Sequence, residues 1–136
     1  MLAGLAATLI ACGDDDAAGP TQVITGTYTL TAVDSKSLPA TLYDDGATEL
    51  ILVSGTITLS ANNAWSGSVI ARTVTNSVST DETLPSGGTW VQSGSSITFT
   101  DTINGDSFTA VVGTDMLSAA IDFEVPIGIV TLVFTK

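Results

Sequence analysis

Over residues 23–33 apolar and small side chains occupy every second position. Ile24, Gly26, Tyr28, Leu30 and Ala32 alternate with Val23, Thr25, Thr27, Thr29 and Thr31. A period of two is that of a strand with one face in a core and the other in water. Residues 48–60 repeat the pattern, with Ile51, Val53, Gly55, Ile57 and Leu59 set against Leu52, Ser54, Thr56 and Thr58. Stretches of the same texture at 64–75, 88–92, 95–101, 107–112, 116–124 and 128–135 bring the total to about eight predicted strands, most of them rich in β-branched residues. The last one, from Ile127 to Phe134, is apolar on both faces, so its outer face is expected to be covered by the chain or by a partner.

Turn residues separate these runs. Ala61-Asn62-Asn63, Ser93-Gly94-Ser95, Gly113-Thr114-Asp115 and Val125-Pro126-Ile127-Gly128 read as short connectors, and Asn104-Gly105 as a two-residue type I′ hairpin turn. Two connections are longer, 34–47 and 76–87. Nothing alternates strand with helix, so the sheet is predicted to be antiparallel. Hairpin-length links favour closure into an up-and-down β-barrel, with a two-sheet β-sandwich and its Greek-key crossings as the alternative.

Composition narrows the chemistry. Asp and Glu outnumber Lys and Arg by 14 to 3, a net charge of −11, whereas a nucleic-acid binder must neutralise phosphates with cations. An anionic membrane surface would repel the chain as well. There is no histidine and a single cysteine, Cys12. Ser-His-Asp and Cys-His catalysis and His- or Cys-based zinc sites are therefore excluded, and an enzyme would have to work with carboxylates, Tyr or Lys alone. No pair of carboxylates is singled out by spacing, so no catalytic residue is assigned. Neither Asp14-Asp15-Asp16 nor Asp44-Asp45-Gly46 has the spacing of a calcium loop, and no metal or cofactor is expected.

The apolar run from Met1 to Ala11 is shorter than the ~20 residues that cross a bilayer and reads as a signal-peptide core. Leu9-Ile10-Ala11-Cys12 resembles a bacterial lipobox. That resemblance implies cleavage before Cys12, lipidation of its thiol, and a lipid-anchored place in the cell envelope. Residues 12–21, with their three aspartates, then form a flexible acidic tether, and 22–136 form one domain.

Gly26-Thr27-Tyr28 resembles the Gly-x-Trp motif that opens lipocalin-type barrels, with Tyr in place of Trp. Thr31-Ala32-Val33-Asp34 with Ser37-Leu38-Pro39, then Gly55-Thr56-Ile57-Thr58-Leu59 with Asn62-Asn63-Ala64-Trp65, and Gly88-Thr89-Trp90 are similar to further strands of small bacterial lipocalin-like lipoproteins. The resemblance implies an eight-stranded barrel that binds a small apolar or amphipathic molecule in its mouth.

Candidate ligand contacts follow from these readings. Tyr28, Trp65, Trp90, Phe99 and Phe108 would line the interior or simply fill it, and the Tyr28 hydroxyl is the best candidate for a polar contact there. Leu38, Leu42 and Tyr43 lie in the first long connection, which would act as a lid over one mouth or be pinned by its own apolar cluster. Arg72, mid-strand, would either pair with a strand acid such as Asp101 or Asp122 or bind an anionic head group. A filled barrel serving as an envelope interaction or inhibitor module is the alternative function.

Overall fold

The structure, a computed structural model, describes residues 24–136. The segments expected to be a signal peptide and an acidic tether, with Cys12, lie outside the described residues. The described chain is built of ten strands: β1 Gly26–Val33, β2 Lys36–Ser37, β3 Ala40–Asp44, β4 Thr48–Leu59, β5 Ala64–Thr75, β6 Val78–Ser93, β7 Ser96–Asp101, β8 Asp106–Gly113, β9 Met116–Asp122 and β10 Ile129–Thr135. From β4 to β10 each strand pairs antiparallel with the next. β10 pairs with β1, and β1 closes the ring on β4 through Gly26↔Leu59 to Thr29↔Thr56. Eight strands thus make a closed antiparallel barrel of lipocalin-like shape, and the sandwich alternative falls with that closure.

Alternation sorts the side chains as the sequence predicts. Tyr28, Leu30, Ile57, Leu59, Trp65, Trp90, Ile97, Phe99, Leu117 and Leu132 point inward and are buried. An eight-stranded barrel is just wide enough to be filled by its own side chains, and burying a large apolar one stabilises by about 1.5–3 kcal/mol. Threonines pair across strands on the wet side, as in Thr27 Oγ1···Thr58 Oγ1 at 3.0 Å. Two bulges shift the inward set. The extra residue Val53 in β4 makes Leu52 buried where alternation predicts Ile51, and the extra Thr31 in β1 brings Val33 inward.

Both long connections are strands rather than loops. In 34–47 the chain turns at Asp34-Ser35, both at positive φ, and β2 pairs with β1 while β3 pairs with β4. These two short strands fill the wedge where β1 and β4 diverge, and Leu38 and Leu42 pack on the main core, so the segment is wall and not lid. In 76–87 strands β5 and β6 simply continue through a two-residue turn at Asn76-Ser77 (φ 52° and 65°) and pair from Thr75↔Val78 down to Ala64↔Thr89. Strand β7 meets β6 only from Gly88 onward, so the first half of β6 is a free edge standing beyond the barrel. The outer face of β10 is not covered, with Ile129 71% exposed.

The two ends of the barrel differ. One end gathers Ile24, the β4–β5, β6–β7 and β8–β9 turns and the last residue, Lys136, whose amide donates to the Asp115 carbonyl at 2.8 Å. It is plugged. The Tyr28 hydroxyl donates to the Ile24 carbonyl at 2.9 Å, the Lys136 ammonium lies 5.4 Å from the Tyr28 ring centre, and Trp90 Nε1 donates to the Ser60 and Ala64 carbonyls. The opposite end carries the β5–β6 hairpin, the β7–β8 turn and the β9–β10 connection, and it is open.

Candidate functional site

At the open end a cleft of about 440 Å³ runs into the upper barrel. That volume lies within the range of small-molecule sites. Three parts of the chain enclose it. The β4–β6 sheet contributes Ile57, Trp65, Gly67, Val69, Leu84 and Ser86; β7 and β8 with their turn contribute Asp101, Asn104, Asp106 and Phe108; β9 and β10 with their connection contribute Ile121, Asp122, Phe123, Glu124, Leu132 and Phe134.

The floor is an aromatic cluster. Phe99 and Phe108 are stacked with centroids 4.9 Å apart, and Trp65 meets both edge-on at 5.2 and 5.6 Å. Such pairs favour offset and T-shaped packing. Phe99 is fully buried beneath the other two. Trp65 is fixed by its indole N–H, which donates to the Thr100 carbonyl at 3.1 Å, and by glycines that let neighbouring backbone approach. A Cβ at Gly67 would lie 2.8 Å from the Thr56 carbonyl oxygen, and one at Gly88 only 2.0 Å from that of Thr100.

Asp101 organises the rim. Its side chain is buried at the end of β7, where one carboxylate oxygen accepts the backbone N–H groups of Ile103 (2.9 Å), Asn104 (3.1 Å) and Gly87 (3.4 Å), and the other accepts Asn104 Nδ2 at 2.8 Å. Burial pushes this carboxyl up, but the hydrogen bonds from Asn104, Ile103 and Gly87 together outweigh it and hold it below the usual carboxylate range. The turn they pin spans 102–105, with Gly105 N–H donating to the Asp101 carbonyl and only Gly105 of the pair Asn104-Gly105 at positive φ. The type I′ turn predicted at Asn104-Gly105 is therefore a four-residue loop. Its conformation is set by the Asp101 side chain upstream, which competes for the backbone donors that a tight turn would use.

Of the candidate contacts, Trp65 and Phe108 line the cleft, and Phe99 supports them from behind. Tyr28 and Trp90 sit in the plugged end, where burial, and behind it the charge of Asp115, push the Tyr28 hydroxyl above its ordinary value. Leu38 belongs to the wall, and the Tyr43 hydroxyl donates to Asp45 at 2.9 Å near the β3–β4 turn. Arg72 lies on the outer surface, where Nε and Nη2 grip Asp81 of the facing strand at 2.7 and 3.1 Å. It is paired with a strand acid, but with Asp81 rather than Asp101 or Asp122, because Arg72 belongs to the outward set of β5. Half-exposed pairs of this kind contribute little to stability, so Arg72→Ala should leave the thermal unfolding midpoint within a few degrees of wild type by circular dichroism.

The sequence reading does not find Phe134, Ile121, Phe123 or the organising role of Asp101. The spacing Asp101-x-x-Asn104-Gly105, an acid three residues before Asn with Gly following, is the signal that would have located the last of these. No family model, curated protein or solved structure matches the chain.

Proposed function

We propose that this domain binds a small apolar or amphipathic molecule in the mouth of its barrel, and that lipid on Cys12 holds it in a bacterial cell envelope. The observation that carries the binding role is the 440 Å³ cleft itself, floored by Trp65 and Phe108 and lined by Ile57, Val69, Ile121 and Phe134. Apolar walls with a few polar groups at one rim are the usual make-up of a site that takes up a ligand without reacting with it. Two tests address the two halves. Native mass spectrometry of the full chain extracted from membranes is expected to show a co-purified small molecule, and Ser86→Phe, which fills the mouth, to lose it; equal retention by the variant would sink the binding role. Incorporation of a fatty-acid analogue is expected in wild type and absent in Cys12→Ala, and equal labelling would remove the anchor.

A second reading, a protein-interaction module, is favoured by one feature. The first half of β6 presents an unpaired edge with Val78 65% exposed, a geometry to which an extended segment of another protein can add. Co-purification of a protein instead of a small molecule would support it.

A further inference from the structure

The cleft is sorted by charge as well as by polarity. Its floor is uncharged and aromatic, while its rim carries Asp106, Asp122 and Glu124, all exposed. None of the three cations in the sequence lines it. Arg72 is tied to Asp81 on the outer surface, Lys136 lies over Tyr28 at the plugged end, and Lys36 stands on β2 outside the lining. Asp101, beneath the rim, spends its charge on its own turn, and Asp122 gives one oxygen to the Glu124 amide at 2.7 Å. Among the described residues Asp106 and Glu124 form no salt bridge.

Carboxylates set around a low-dielectric cavity focus a negative potential into it and raise the local concentration of cations. An anionic amphiphile with its tail seated would hold its head group among three like charges, and a neutral one would gain nothing from them.

The geometry points to a cationic amphiphile as the ligand class: an apolar body against Trp65 and Phe108, with a protonated amine or quaternary ammonium among Asp106, Asp122 and Glu124. This assignment rests on the cleft being the binding site. The rim acids act as a diffuse field rather than a chelate, since among the described residues no group of three acids is gathered closely enough to hold a metal ion.

Three probes that share one nine-carbon tail test it: nonyltrimethylammonium, nonyl alcohol and nonanoate, titrated into the full chain with tryptophan fluorescence and calorimetry as readouts. The ammonium is expected to bind on the order of tenfold more tightly than the alcohol at low salt, and the carboxylate more weakly than either. In the combined variant Asp106→Asn, Asp122→Asn, Glu124→Gln, whose changes are all at exposed positions, the preference for the ammonium over the alcohol should be lost. If ammonium and alcohol bind alike in wild type, or if the preference survives in the variant, the charge assignment is overturned and the binding role stands. If none of the three binds, the binding role falls with it.

Discussion

Gly88→Ala should destabilise the domain by about 3 kcal/mol or more, lowering its thermal midpoint by roughly 10–15 °C. The added Cβ would sit 2.0 Å from the Thr100 carbonyl oxygen and 3.0 Å from the Thr102 nitrogen. Both are backbone atoms, so no rotamer change relieves the clash, and β6 must move away from β7 at the Gly88↔Asp101 pair. The Thr100 carbonyl is the acceptor for Trp65 Nε1 and Asp101 is the anchor of the rim, so the displacement should reach the floor and the rim of the cleft together. Gly94→Ala provides the contrast. It meets nothing within 4 Å and only the backbone strain of φ +63° opposes it, at a cost of about 1 kcal/mol. Chemical denaturation of the two variants beside wild type measures the difference, and a Gly88→Ala midpoint equal to that of Gly94→Ala would contradict the geometry.

Replacing Asp101 should produce the second large effect, and one that depends on pH. Asp101→Ala leaves the part-buried N–H groups of Ile103 and Asn104 and the buried one of Gly87 without their acceptor, at a cost of about 2–3 kcal/mol at neutral pH. Asp101→Asn keeps one acceptor oxygen but sets an amide NH₂ against Asn104 Nδ2. Asn104 must then turn its own amide over and give up its hydrogen bond to the Pro85 carbonyl, for a smaller cost of about 1–2 kcal/mol. The folded-state pKa of Asp101 lies below its unfolded value of about 3.9. Its carboxylate therefore stabilises the fold fully above that value, and the contribution disappears as pH falls through the lower, folded-state value. The stability gap between wild type and Asp101→Asn should accordingly be widest near neutrality and shrink below about pH 4. Urea unfolding at a series of pH values checks this, and a gap that widened in acid would show the sign to be wrong.

The eight barrel strands were legible because each has one wet face and one dry face, and alternation records that difference. Where both faces are wet it records nothing. Val78 to Pro85 of β6 are all exposed, and only their pairing with β5 makes them a strand. The short β2 and β3 were hidden by their neighbours, Pro39 and Asp44-Asp45-Gly46, which read as turn residues. Bulges are invisible for a different reason. An extra residue such as Val53 has no signature in an apolar run where Ile51 and Leu52 are equally fit for the core. At the cleft, Trp65 and Phe108 could be named from their type and strand parity. Phe134 and Ile121 could not be told from ordinary core residues, because only the three-dimensional closure decides which inward side chains border the cleft. Arg72 misled through its apolar neighbours, Ile70 and Val74, which share its outward face.

The chain enters the barrel at Ile24, beside the plug formed by Tyr28, and the cleft opens at the far end. With the anchoring proposed for Cys12, the plugged end becomes the one attached to the bilayer, through at most ~40 Å of chain. Because the chain leaves from the opposite end of the barrel, such an attachment would not obstruct the mouth.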